Sequence, residues 1–174
     1  MPFTPFHMGA GLAAKAAIDR HFSVLTFGVA QVAMDIEPLI GMIRNSDVLH
    51  GPTHTYIGAL VIGFAVMLVS PFICRPILRR YNYEAHAIGA GWLVCSENFS
   101  KGAVALGAFI GTFSHILLDS LMHADMQPFW PVSTSNPMLW LISVDMVYQL
   151  CFWFGVASAI AWLVGKYRHG HQNG

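Results

Sequence analysis

In the stretch His115-Ile-Leu-Leu-Asp119-Ser-Leu-Met-His123, three side chains able to ligate a metal ion recur every fourth residue, inside a run apolar enough for a membrane helix. A step of four on a helix advances about 400°, so Asp119 is displaced about 40° and His123 about 80° from His115, on a ladder rising about 12 Å. Ionisable groups inside a bilayer cost roughly 2.5 to 3.5 kcal/mol each on the insertion scale and mark functional sites. One ion cannot use both ends of such a ladder. Two ions about 3.5 to 4 Å apart, with a carboxylate bridging them, can. Imidazole with carboxylate suits zinc best, with manganese or iron as competitors.

Two further helices and a loop must supply the rest of such a site. If the first two apolar segments form a hairpin turning near His21, His7 and Asp35 lie fourteen residues before and after the turn, at the same depth. That depth is roughly 21 Å above the turn. His115, fourteen residues beyond Lys101, reaches the same level. His50 and His54 come from His50-Gly51-Pro52-Thr53-His54, where Pro52 suits the first position of a helix. They stand somewhat higher if that helix is straight, and a tilt or a recessed entrance would close the gap. The expected metal ligands are therefore His7, Asp35, His50, His54, His115, Asp119 and His123, any of which can instead support a ligand from behind.

Glu37 and Asp125 form a second tier. Glu37 points about 200° from Asp35 on a straight helix, which favours a supporting or structural role, although Pro38 can distort that turn. Asp125 either closes the outer end of the site or caps the chain reversal. Asp145 in the last helix is expected to be a buried hydrogen-bonding residue, and His21, His86, His169 and His171 to be bystanders on the other side.

The chain has 174 residues, 55% hydrophobic and 10% charged, with mean hydropathy +0.55. Soluble domains carry about 25% charged residues, so this chain cannot cover a water-facing surface. It reads as an all-α, polytopic membrane bundle in one domain over residues 1–174, with about four spanning helices and a short N-terminal half-helix. The apolar segments run over Met8–Ile18, Phe22–Ile43, Thr53–Ile73, Gly102–His123 and Met138–Val164; Tyr83–Cys95 is too short to cross and reads as interfacial or re-entrant. The tail 167–174 should be mobile, and the first residues lack a basic, cleavable signal, so the N-terminus should be retained. Net charge is zero and gives no argument for nucleic acid. Cys74, Cys95 and Cys151 show no CxxC spacing and read as buried hydrophobes.

Threading the segments up and down puts Lys15, Arg20, Arg75, Arg79, Arg80, Lys101, Lys166 and Arg168 on one side and Arg44 alone on the other. The positive-inside rule makes the first side, with the C-terminus, cytoplasmic and places the ligands in the outer half of the bilayer. Trp130 and Trp140 would belong to the outer aromatic belt, and Gly107 with Gly111 would admit a close helix neighbour.

No Ser-His-Asp or Cys-His nucleophile is readable. Two ions sharing a carboxylate would instead activate a water, with Asp35 as bridge and water orienter and Asp119 as its catalytic companion. The N-terminus of the third helix adds N–H groups favouring an anion such as phosphate. The expected reaction is hydrolysis of a phosphoester, and the depth favours a membrane lipid as substrate. A metal or proton transporter is the main alternative, expected to show polar residues continuing to the cytoplasmic face; a structural metal staple is the third.

Met1-Pro-Phe-Thr-Pro-Phe-His7, Met34-Asp35-Ile-Glu37-Pro38, His50-Gly-Pro-Thr-His54 and Ser114-His115 through Asp125-Met-Gln-Pro128 together resemble the membrane-bound metal-dependent hydrolases that include the inner-membrane YdjM-like proteins. The resemblance covers about residues 1 to 137 and implies a hydrolase in a prokaryotic plasma (inner) membrane. The ligand order is also distantly similar to zinc-dependent phospholipase C and the P1-type nucleases. The chain lacks their N-terminal tryptophan ligand and second His-x-x-x-Glu pair, which counts against a third metal.

Overall fold

The computed structural model describes residues 7–18 and 21–172, with side chains as far as 168. The opening motif before His7, Arg20, and the side chains of His169 and His171 lie outside the described residues. Five α-helices follow in order: α1 (Met8–Ile18), α2 (Val24–Ile43), α3 (Tyr56–Ala87), α4 (Lys101–Met122) and α5 (Val144–Gln172). One-turn 3-10 helices at Pro52–His54 and Gly91–Leu93 precede α3 and follow it. There is no strand among the described residues. Helices α2 to α5 are each long and apolar enough to cross a membrane, while α1 is not.

Local sequence explains most of the helix ends. Ser23, Thr55 and Ser100 are N-caps whose hydroxyls accept from the backbone N–H of Thr26, Gly58 and Ala103. Helix α3 departs from the expectation of an end at Ile73. Its 32 residues pass through Pro71 and Pro76 to Ala87, about 48 Å against a hydrocarbon core of about 30 Å. The expected separate piece at Tyr83–Cys95 is thus partly the projecting end of α3. Prolines are tolerated in such helices because neighbouring groups satisfy the freed carbonyls, and Arg75, Arg79 and Arg80 end the apolar run without ending the helix. Helix α5 likewise continues past Val164 through most of the segment expected to be a tail.

Helix α4 is the most enclosed span and packs between α2 and α3. Its Gly107 and Gly111 make that possible: a Cβ at Gly107 would lie 2.5 Å from the Ser23 carbonyl oxygen, and one at Gly111 2.6 Å from the Ala30 Cβ. Helix α1 rests mainly on α5, where Gly9 faces Cys151 and Gly155. Cys74 and Cys151 are buried and Cys95 is half-buried, all three as free thiols. Asp145 does not occupy the buried position expected of it; it is exposed in the first turn of α5, where an acidic group complements the helix dipole.

The bundle has two chemically distinct ends. The Ser23 N–H bonds to the Ala103 carbonyl, the Lys166 ammonium to the Val94 carbonyl and Arg79 to Glu97. These contacts gather Lys15, Arg75, Arg79, Arg80, Lys101, Lys166 and Arg168 where α2 and α4 begin and α3 and α5 end. His21 and His86 are exposed near that same end, and the remaining histidines of the described side chains stand at the other.

Candidate metal centre

Five imidazoles surround one carboxylate. Asp119, on the buried face of α4, points Oδ1 toward His7 Nε2 (3.5 Å) and His123 Nε2 (3.9 Å). Its Oδ2 faces Nε2 of His115 (3.1 Å), His54 (3.7 Å) and His50 (3.9 Å). Asp35 joins from α2, with Oδ1 3.6 Å from His115 Nε2. All seven side chains expected as ligands therefore converge. The arrangement corrects one role: Asp119, not Asp35, sits between the groups, because α4 is the central helix and Asp35 approaches from one flank.

Chain reversals bring the outlying members in. His54 ends the 3-10 turn Pro52–His54, closed by its N–H to the Gly51 carbonyl, so it drops inward before α3 starts at Tyr56. That is the recessed entrance needed to lower it to the others. The regular ladder on α4 does not persist. The helix ends at Met122, and His123 turns to an extended backbone with its N–H still bonded to the Asp119 carbonyl. Unwinding brings the third rung back toward Asp119 instead of leaving it a turn above.

Three of the rings are held from behind. His50 Nδ1 lies 2.8 Å from Asp125 Oδ1, and Asp125 Oδ2 also accepts from the backbone N–H of Leu49 and His50. His54 Nδ1 lies 3.1 Å from the Thr53 hydroxyl and 3.5 Å from Glu37, which in turn accepts from the Thr53 hydroxyl and N–H. Gly51 permits this, since a Cβ there would lie 2.5 Å from Glu37 Oε1. His115 Nδ1 lies 2.8 Å from Gln31 Oε1. Glu37 and Asp125 thus stand behind His54 and His50, Asp125 also lying within a 4.8 Å ligand spacing of His50 and His123, and Gln31, unremarked in the sequence because its amide carries no charge, stands behind His115. Its position one turn before Asp35 was the available signal.

The Nε2 atoms of His7, His54 and His115 are buried and have no hydrogen-bond partner. Burial holds the His7 and His54 imidazoles, both outside the spanning helices, down to about 4, so both are neutral near pH 7. Burial would raise Asp125, but hydrogen bonds from His50 and the backbone hold its carboxyl below the usual value.

Neutral nitrogens facing a carboxylate fit a cation. Two donors each 2.0–2.2 Å from a tetrahedral zinc stand about 3.3–3.6 Å apart, close to the 3.1–3.9 Å separations around Asp119. His7, His115 and Asp119 form one group whose ligand atoms lie within 4.8 Å of one another, His50, His54 and Asp119 a second that shares the carboxylate, and His50, His123 and Asp125 a third at the less buried edge. The sequence-based expectation of an anion cradle at the start of α3 is not met in the same way. The Tyr56 N–H bonds to the Pro128 carbonyl, the Gly58 N–H to Thr55 and the Thr53 N–H to Glu37.

Beside the centre, Tyr56, Ile57, Pro128, Phe129, Trp130 and Val132 line an open apolar groove of about 360 Å³. Tyr56 is two residues past His54, and its ring stacks 5.8 Å from Phe113, two residues before His115.

Asp125→Asn is expected to weaken divalent-metal affinity about 10- to 100-fold, the usual cost of losing a carboxylate behind a ligating histidine. Competition with a chromophoric chelator would measure it, and unchanged affinity would assign Asp125 to loop closure alone.

The fold and this cluster define a polytopic helical membrane protein with a buried histidine and carboxylate centre near one end. Residues 1–172 match the YdjM inner membrane protein family, and the chain belongs to it, as a multi-pass inner-membrane protein. No curated protein and no solved structure matches the chain.

Proposed function

We propose that this protein is a metal-dependent hydrolase that cleaves a phosphoester of a membrane lipid at a two-ion centre, with zinc the preferred metal. The observation that carries the reading is the set of buried, unpartnered imidazole nitrogens directed at Asp119. Bound there, two ions would polarise a phosphoryl oxygen and lower the pKa of a water toward neutrality. Asp119 would hold both ions, His7 and His115 with Asp35 one of them, and His50 and His54 the other. Asp35, more accessible than Asp119, would accept a proton from the attacking water, while His123 and Asp125 border the open side.

The lipid substrate is supported by the apolar groove beginning two residues beyond His54, which suits a hydrocarbon chain. The basic end of the bundle supports a cytoplasmic C-terminus and a site in the outer half of the membrane. Transport receives less support. Below the centre the buried polar side chains of the described residues, among them Gln31, Thr112, Thr26 and Ser70, are all uncharged, with no further buried acid or imidazole to carry an ion onward.

The test is metal analysis of the detergent-purified protein followed by incubation with a panel of lipid phosphates, beside His115→Ala. Two ions per chain and release of phosphate or headgroup, lost in the variant, are expected. Tight metal without turnover on any lipid would favour a structural staple, and metal uptake into liposomes a transporter.

A further inference from the structure

We propose that Gln31 is a positioning residue that locks His115 as the tautomer protonated on Nδ1, so that Nε2 offers its lone pair to the centre before any metal arrives. The consequence for metal binding rests on the function proposed above; the tautomer does not.

The two ends of the Gln31 amide can be told apart by their neighbours. One end is 2.9 Å from the Gly111 carbonyl oxygen, which only accepts, so the NH2 group must face it. The oxygen then faces His115 Nδ1 at 2.8 Å. An amide oxygen cannot donate, so Nδ1 carries the proton. In a neutral ring Nε2 is left bare, 3.1 Å from Asp119 and 3.6 Å from Asp35. Although close to Asp119, it makes no aligned hydrogen bond.

Helix packing fixes the lock. A Cβ on Gly111 would lie 2.6 Å from the Ala30 Cβ and 3.2 Å from the Phe27 carbonyl oxygen, so α2 and α4 are pressed together where the Gly111 carbonyl meets Gln31. The choice of an amide also follows. His50 and His54 are backed by carboxylates near the surface, at Asp125 and Glu37, whereas His115 is fully buried and already faces two. A third buried carboxylate there would be costly and would repel the Gly111 carbonyl. The neutral amide supplies the acceptor without the charge.

The experiment uses full-length protein with 15N-labelled histidine, stripped of metal in detergent micelles, and reads ring-nitrogen shifts; His115 is assigned by its loss in His115→Ala. Wild type is expected to show His115 protonated on Nδ1. Gln31→Met, which keeps the volume, should lose that preference. It should bind Zn²⁺ about 10- to 100-fold more weakly, with metal-free thermal unfolding shifted by far less than that loss implies. His115 protonated on Nε2 in wild type, or an unchanged tautomer in Gln31→Met, would overturn the proposal. The wild-type spectrum decides even if the variant fails to fold. The expected tautomer without Zn²⁺ binding would uphold the lock and refute the metal centre.

Discussion

Asp119→Asn is expected to cost the proposed centre both of its ions and nearly all of its turnover, because no other side chain among the described residues faces all five imidazoles. Each oxygen of Asp119 faces a different set of rings, at separations suited to a shared ion. Asparagine keeps the volume but removes the negative charge and replaces one acceptor with a donor. A metal contributes several kcal/mol of charge stabilisation to such reactions, so losing about 4 kcal/mol would slow turnover by roughly 10³-fold. Metal analysis and a phosphoester assay on the purified variant would check both parts. Retention of one ion at full occupancy would show that Asp119 does not bridge. The metal-free variant should unfold no more easily than metal-free wild type, since the native carboxylate is buried beside His7, His54 and His115 nitrogens that make no aligned hydrogen bond, an arrangement that is costly without a cation.

Gly9→Val should remove one ion and leave the other. Even a Cβ at Gly9 would lie 2.0 Å from the Cys151 carbonyl oxygen and 2.9 Å from its carbon. Those are backbone atoms of α5 and cannot swing aside as a side chain would, so α1 must lift away. His7 immediately precedes α1 and brings the imidazole that pairs with His115. The ion held by His7 and His115 is therefore expected to be lost, while His50 and His54, carried by a different segment, keep theirs. Overpacking of this kind costs typically about 1–3 kcal/mol, which should appear as a lower unfolding temperature. The stoichiometry of the proposed centre is expected to fall from two ions to one, and His7→Ala is expected to give the same count. An unchanged count would mean that His7 does not depend on the α1 to α5 contact for its place.

What the sequence determined by itself follows from local periodicity and from the cost of placing charge in an apolar helix. Both signals are carried within single segments. The four spans, the short first helix and the glycines of α4 were legible because a spanning helix must satisfy its own backbone and because small residues mark close approach. The seven converging side chains were legible because few ionisable residues occur inside those apolar runs. Depth could be counted along each helix from a common turn, which is why His7, Asp35 and His115 could be matched.

Only the tertiary structure decided which carboxylate stands at the centre, since that depends on which helix is innermost, and periodicity does not rank helices by burial. It also decided the path of the chain where regular structure stops, dropping His54 into the site through a 3-10 turn and pulling His123 back by unwinding α4 at Met122. The continuation of α3 through Pro71 and Pro76 was hidden because composition reports where apolar sequence ends, not where hydrogen bonding ends. Gln31 was hidden for a related reason. An uncharged amide has no signature in an apolar helix until its two ends are seen against the Gly111 carbonyl and the His115 ring.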